Sequence, residues 1–591
     1  MRYVLILCLF ISSILYAQNA TLAKDYFQKG EYEKALVEYK KLYAQSSSNI
    51  TYINQIISTH QQLEQYDEAE RFLLELMERV KYPAFIVELG YNYQLKNDTQ
   101  KANENYQKAI AFIDKKASHV FGIARSFQNH SLLNEAVISY EKAAALNPDF
   151  NFNVQLAQIY GEQGNIEKMF NSYLNFAESN PVVVRDIKRA INDFINEHDE
   201  NENNVLFRKL LLKKMQQEPN ILWNELLSWL FIQQKDFKKA FTQEKAIYKR
   251  QPESLSKIEE IGLMAASENE NEIARTIFSY VIETAQDTET KLDAYQKIIQ
   301  IDLKESSKSN YGAIKNKYLE LLESFGNQSE TLELQISYAH FLAFYLNETE
   351  AATQFLENSL KLPLAAIEKA QVKLELGDIL VLQEKFNRAL IYYTQIQRNL
   401  KNSTISQEAR FKVAKASYYK GDFKWAESQL KILKASTSQL IANDALDLKL
   451  LISDNKYEDS LQTALKRYAK SDLLAFQNRN DEAIGLLDKI LDEHKTEPII
   501  PQALFKQAEL FELNGSLEKA KVNYDLIIKN YRDGILIDDA LFRLAKIYEK
   551  ELNGSEKAKV LYEQIIFNHA DSIYFVESRK RFRALRGDAI N

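Results

Sequence analysis

Residues 89–109 read LGYNYQLKNDTQKANENYQKA, and residues 124–148 read ARSFQNHSLLNEAVISYEKAAALNP. In each, a small residue (Gly90, Ala124) precedes an alanine (Ala102, Ala136) by 12 positions, and a tyrosine (Tyr106, Tyr140) follows that alanine by four. Four residues is about one helical turn, so the alanine and the tyrosine share a face. Alanine is small where two helices touch, and tyrosine fills the gap beside it. The small residue 12 positions back then marks a close crossing on the preceding helix.

The spacing recurs along the chain. Ala35, Ala69, Ala102 and Ala136 are separated by 34, 33 and 34 residues, Met169 follows 33 later, and Ala240 and Ala274 again differ by 34. The fourth residue on is large at Tyr39, Leu73, Tyr173 and Phe278, with Glu244 the exception. Twelve positions before the anchors lie Ala23, Ala157, Ser228 and Gly262, with Ile57 departing. Gly30, Gly164 and Gly421 fall between the paired helices, where glycine readily takes the positive φ that ends a helix. Pro148, Pro181, Pro252 and Pro363 close their repeats. Further on the anchors read Ala351, Ala389 and Ala426, then Ala483, Ala520 and Ala558, spaced by 37 or 38 within each set. Phe355, Tyr393, Leu430, Leu487, Tyr524 and Tyr562 fill the fourth position on.

This pattern resembles the tetratricopeptide repeat, carried by Leu89-Gly90, Tyr93, Ala102, Tyr106 and Ala109, and in the next copy by Ala124, Phe127, Ala136, Tyr140, Ala143 and Pro148. The resemblance implies an all-α, right-handed α-α superhelix of antiparallel helix pairs, a solenoid that presents a binding surface rather than a catalytic centre. The C-terminal copies, Ala503-Leu504-Phe505 with Ala520 and Tyr524 and Ala540-Leu541-Phe542 with Ala558 and Tyr562, are also similar to repeats of bacterial envelope proteins of the β-barrel assembly lipoprotein and Tol-Pal-associated periplasmic factor types.

A chain of 591 residues exceeds what one compact core serves, roughly 250–300 residues. With only 15 Gly and 8 Pro and no Pro/Gly/Ser-rich linker, an unbroken helical array fits better than beads on a string. The expected segments are an N-terminal array over 18–200 with a period near 34, divergent helical repeats over 201–330, and a C-terminal array over 331–578 with a period of 37–38. A basic tail over 579–591 follows. The hydrophilic run Glu197 to Glu202 reads as a solvated loop.

Residues 1–17 read as a secretory signal: Arg2 gives the charge, Val4 to Leu15 the apolar run, and Ala17 the small residue before a cut. That run is shorter than the ~20 apolar residues a transmembrane helix needs. Cys8, the only cysteine, lies inside it, which leaves no thiol for disulfides or catalysis in the processed chain. Export, to the periplasm or to peripheral association with an outer membrane, is the expectation.

Net charge is −7, which gives no reason to expect nucleic acid. No phosphate loop, dinucleotide fingerprint, nucleophile elbow or zinc-protease helix is present, and the seven histidines are scattered, so no enzyme, cofactor or metal is expected. Partners are then proteins or peptides. The face of the first helix in each N-terminal pair supplies the candidate groove: Asn54, Ser58, Tyr91, Gln94, Arg125, Gln128 and Gln158. Arg579, Lys580, Arg581, Arg583 and Arg586 form a candidate basic docking patch for an acidic partner or anionic lipid. The function read from the sequence is a non-enzymatic, protein-binding scaffold of the bacterial cell envelope. The alternative is a structural component of an outer-membrane assembly or secretion complex, docked through the C-terminal repeats.

Overall fold

The computed structural model describes residues 20–433, 438–456, 462–550 and 554–588. The proposed signal with Cys8 lies outside them. The described residues are all-α, without a strand, and divide into two compact units, Met1–Ile247 and Tyr248–Asn591. The fold class is that implied by the repeat: each unit is a succession of antiparallel helix pairs, such as Ala84–Leu95 with Thr99–Phe112 in the first and Ile500–Leu513 with Leu517–Asn530 in the second. No described helix is long and apolar enough to cross a membrane.

The pairs form because the spaced alanines are buried. Ala35, Ala69, Ala102 and Ala136 in the first unit, and Ala389, Ala426, Ala483, Ala520 and Ala558 in the second, all lie in the core. Their helices approach so closely that a Cβ added to Gly90 would stand 2.6 Å from Tyr106 Cε1, and one added to Gly377 2.2 Å from Tyr393 Cε1. Both glycines therefore serve the aromatic ring that follows the anchor, and not a turn.

The turn between paired helices has a constant shape but not a constant residue. Five positions before each anchor the backbone is left-handed, at Gly30, Gly164, Gly421 and Gly515, and equally at Glu64, Asn97, Ser131, Lys235, Asn269, Glu384 and Asn478. The following N–H closes the helix by reaching back five residues, as Asp98 does to the Tyr93 carbonyl at 2.9 Å. That bond recurs in every such turn, so it offsets the cost, about 1–2 kcal/mol, of placing a Cβ-bearing residue there.

One anchor is shifted from the expected position. Ala351 is exposed and Phe355 half-buried, whereas Ala352 and Leu356 are fully buried. The cause lies one helix earlier, where Phe341–Tyr345 forms a π turn after the α-helix Leu332–His340. A π turn absorbs one additional residue. The buried small residue Ala339 consequently precedes Ala352 by 13 positions (352 − 339) instead of 12.

The gap of 57 residues between Ala426 and Ala483 (483 − 426) holds an additional helix, Gln439–Asn455, between two regular pairs. Thr404–Tyr419 and Thr463–Phe476, the first helices of the flanking pairs, still meet: Tyr418 donates its hydroxyl to Asp472 at 3.0 Å. The end of Thr463–Phe476 also touches turns far back in the chain. Lys470 pairs with Glu384 at 2.8 Å, Gln477 donates to the Leu382 carbonyl at 3.0 Å, and Asn478 donates to that of Phe344 at 3.2 Å. Phe476 meets Phe344 edge-on at 5.5 Å.

Candidate functional site

The seven groove residues read from the sequence all lie on the first helices of consecutive pairs in the first unit: Ile50–Gln62, Ala84–Leu95, Val120–Asn129 and Asn153–Glu162. Gln94, Arg125 and Gln158 are exposed; Asn54, Ser58, Tyr91 and Gln128 are half-buried. Several have internal duties. Tyr106 donates its hydroxyl to Gln94 at 2.7 Å, and Tyr140 donates to Gln128 at 3.1 Å, so these amides complete the anchors of their own repeats. Tyr91 stacks on His130 at 3.7 Å between ring centres. His130 in turn meets Glu88 at 2.8 Å, and Glu88 also accepts from Ser126 at 2.5 Å. Glu88 carries no sequence signal, because it sits in the apolar run before Leu89-Gly90.

The basic residues near the C-terminus lie on the helix Phe575–Arg586, which packs on Ser555–Asn568. Arg581 is committed to Glu549 at 2.8 Å and to Glu577 at 2.7 Å, while Arg583 and Arg586 pair with Asp588. Arg579 and Lys580 are exposed, beside the equally exposed Ile573 and Val576.

A larger feature, without precedent in the sequence reading, lies wholly within the second unit. A cavity of about 1080 Å³ opens between the additional helix Gln439–Asn455 and the first helices Thr404–Tyr419, Thr463–Phe476, Ile500–Leu513 and Ile537–Glu549. Phe411, Tyr419, Leu448, Leu451 and Phe476 give it apolar walls; Asp444 and Asp447 reach it from the additional helix, and Lys415, Asp472, Lys506, Glu509 and Arg543 from the others. Its size and mixed lining suit several residues of a bound chain.

The charges on the first helices follow a rule that the cavity interrupts. A base on each helix pairs with an acid on the one before: Lys412 with Asp378 at 2.6 Å, Lys506 with Asp472 at 3.0 Å, Arg543 with Glu509 at 3.4 Å. Between Thr404–Tyr419 and Thr463–Phe476 the rung is missing. Lys415 stands where an acid is due, 37 residues after Asp378 (415 − 378), and Ala469 where a base is due, 37 before Lys506 (506 − 469). The Lys415 side chain reaches cavity solvent, yet the walls around it push its ammonium below the usual lysine range, with Asp472 opposing that shift and Lys412 and Lys506 adding to it. Burial and the neighbouring Asp444 push the Asp447 carboxyl up. Burial does the same to Glu509, against the pull of Lys506 and Arg543.

Among the described residues no group of three or more His, Cys, Asp or Glu is arranged to hold a metal ion. His198, beside Glu197 and Asp199, lies in the loop before Glu202–Gln217; the buried Asn204 braces that loop by donating to the Asn196 and His198 carbonyls at 2.8 and 2.7 Å.

Two stretches match tetratricopeptide-repeat family models, residues 468–527 and residues 539–572. No curated protein matches the chain. Among solved structures, the chain is similar to the Naa15/Naa10 complex bound to HypK-THB, at 12% identity over 97% of this chain and 94% of the other, with a TM-score of 0.30. It is similar to yeast Tom70, at 17% identity over 89% and 98% of the respective chains and a TM-score of 0.29, and to the Cut9-Hcn1 hetero-tetramer of the APC/C, at 11% identity, 96% of each chain and a TM-score of 0.24. The two matched stretches furnish three of the five helices around the cavity.

Proposed function

We propose that this protein is a non-enzymatic scaffold that holds a segment of a partner protein in the groove of its second unit. The observation that carries the reading is the cavity itself. A stack of helix pairs needs its alanines and tyrosines buried, but it does not need a 1080 Å³ opening lined by Phe411, Leu448, Leu451, Phe476 and the unmatched Lys415. Such a surface is apolar enough to gain by being covered and polar enough to select what covers it.

An envelope location belongs to the same proposal. It is supported by the charged and apolar opening of the sequence, Arg2 followed by Val4 to Leu15, and by the likeness of the C-terminal repeats to those of bacterial envelope proteins.

Ala475 lines the cavity, and Ala475→Trp fills it while leaving the rim charges in place. Affinity capture from cell-envelope fractions with the full chain is expected to return a partner that Ala475→Trp loses. A partner set identical for both proteins would sink the reading.

A second reading, docking of the C-terminal end on a membrane assembly, is favoured by one observation: Ile573 (85% exposed) and Val576 (67% exposed) lie beside Arg579 and Lys580. Apolar side chains flanked by cations suit an anionic surface. Ile573→Ser with Arg579→Glu should then move the protein from the membrane to the soluble fraction; unchanged fractionation would remove this version.

A further inference from the structure

From the charges around the cavity, we infer that the partner segment is basic and amphipathic, with Lys or Arg on one side and a large apolar residue on the other. This rests on the proposal that the groove binds a protein segment, and goes beyond it by fixing the chemistry of the occupant.

The argument begins with how charge is divided around the cavity. The first helices contribute three acids, Asp472, Glu509 and Glu512, and three bases, Lys415, Lys506 and Arg543, so their part of the lining is balanced. Lys506 bonds Asp472, and Arg543 reaches both Glu509 and Glu512. The additional helix contributes two acids, Asp444 and Asp447, and no base. Neither makes a hydrogen bond or ion pair among the described residues. The whole negative surplus of the groove thus sits on one wall, and that wall belongs to the helix whose insertion opens the cavity.

Two carboxylates three residues apart share one face of a helix, and each raises the cost of ionising the other. Asp447 shows this, with burial and Asp444 holding its carboxyl above the ordinary range. Asp539, from the helix Ile537–Glu549, adds to the field: burial holds its carboxyl up, and Asp538 and Asp447 oppose its ionisation while its bond from Tyr574 and the nearby Arg543 favour it. A cation from outside relieves this repulsion. An anion would meet it.

The apolar part of the occupant is fixed by the same wall. Leu448 and Leu451 stand one helical turn beyond Asp444 and Asp447 and line the cavity together with Phe411 and Phe476. Leu513, 75% exposed, extends this apolar surface to the mouth. Lys415 stands at the missing rung and repels a second cation from Asp472. Basic side chains are thereby confined to the additional helix, and the apolar side chain points inward.

The test is a selection from a random peptide library displayed on phage, with the full chain as bait, followed by binding of the selected peptides to Asp444→Asn/Asp447→Asn and to Ala475→Trp. Both aspartates are exposed, so the double variant keeps its fold. The expected peptides carry Lys or Arg together with Leu, Phe or Trp, weaken about tenfold on the double variant, and weaken likewise at raised salt. They are lost on Ala475→Trp. Peptides that depend on Ala475 but are acidic or uncharged, or that ignore the two aspartates, overturn the inference and leave the scaffold reading standing. Peptides indifferent to Ala475→Trp overturn both. Concentration-dependent dimerisation of the full chain that the double variant abolishes, seen by sedimentation, would make a second copy the occupant and also overturn it.

Discussion

The two units obey one packing rule with different chemistry. In the first, the tyrosine after the anchor rests its hydroxyl on a neutral amide: Tyr106 on Gln94, Tyr140 on Gln128. In the second, the same hydroxyl rests on a carboxylate: Tyr393 on Asp378, Tyr524 on Glu512, Tyr562 on Glu549. Those carboxylates need a countercharge, and the next first helix supplies it through Lys412, Arg543 and Arg581. The same geometric need, a hydrogen-bond acceptor for a buried tyrosine, is met by neutral acceptors at these two anchors of the first unit and by a ladder of ions in the second. Only on such a ladder does a missing rung leave a lysine facing a cavity.

The sharpest way to break this comparison is to attack the rule both units share. Gly90→Ala and Gly377→Ala place a methyl group 2.6 and 2.2 Å from a tyrosine ring. Alanine normally stabilises a helix over glycine by about 0.5–1 kcal/mol. Here overpacking dominates, and each variant should lose about 1–3 kcal/mol. Hydrogen exchange, read separately in Ala84–Leu95 and Ala366–Leu382, would show it. Unchanged protection in either unit would mean the close approach is not shared.

A smaller effect separates the units. Tyr524→Phe takes a charge-assisted bond from Glu512 and should cost about 1.5–3 kcal/mol, whereas Tyr106→Phe takes a neutral one from Gln94 and should cost about 0.5–1.5 kcal/mol. Equal losses in denaturant unfolding would say that the acid contributes no more than the amide.

The smallest effect concerns pH. Burial first, and then the bond to Glu70, push Tyr93 up to about 12 from an ordinary 10. A tyrosine whose folded value is raised is held in its neutral form by the fold. Its contribution is complete below pH 10 and is lost as pH climbs from 10 towards 12. Tyr418 and Tyr468, in the second unit, are raised well above 10, again chiefly by burial. Tyrosinate absorbance should therefore rise late for these rings and coincide with loss of helix; early, fully reversible titration with the helices intact would contradict their burial.

The helix pairs were legible in the sequence because alanine and tyrosine at fixed spacing can be satisfied together in few ways. The site was less so. Asn54, Ser58, Tyr91, Gln94, Arg125, Gln128 and Gln158 all lie on first helices, as their spacing predicts, but spacing does not reveal that Gln94 and Gln128 are already engaged by tyrosines. The shifted anchor at Ala352 was hidden because two adjacent alanines fit the pattern equally well, and only the π turn at Phe341–Tyr345 selects the second. The 57-residue gap after Ala426 was visible as a broken period, but its consequence was not.

By itself the sequence determined the fold class, the pairing of neighbouring helices and, apart from the anchor at Ala352, the alanines that hold them, because those depend on local spacing and on burial within one repeat. Only the tertiary structure decided where the groove lies. Contacts such as Asn478 with Phe344 and Lys470 with Glu384, which span 134 and 86 residues, fix how the helices after the insertion return onto those before it. No periodic pattern encodes such contacts, because a repeat specifies its neighbours through packing, whereas a return across several repeats depends on small rotations accumulated at every step.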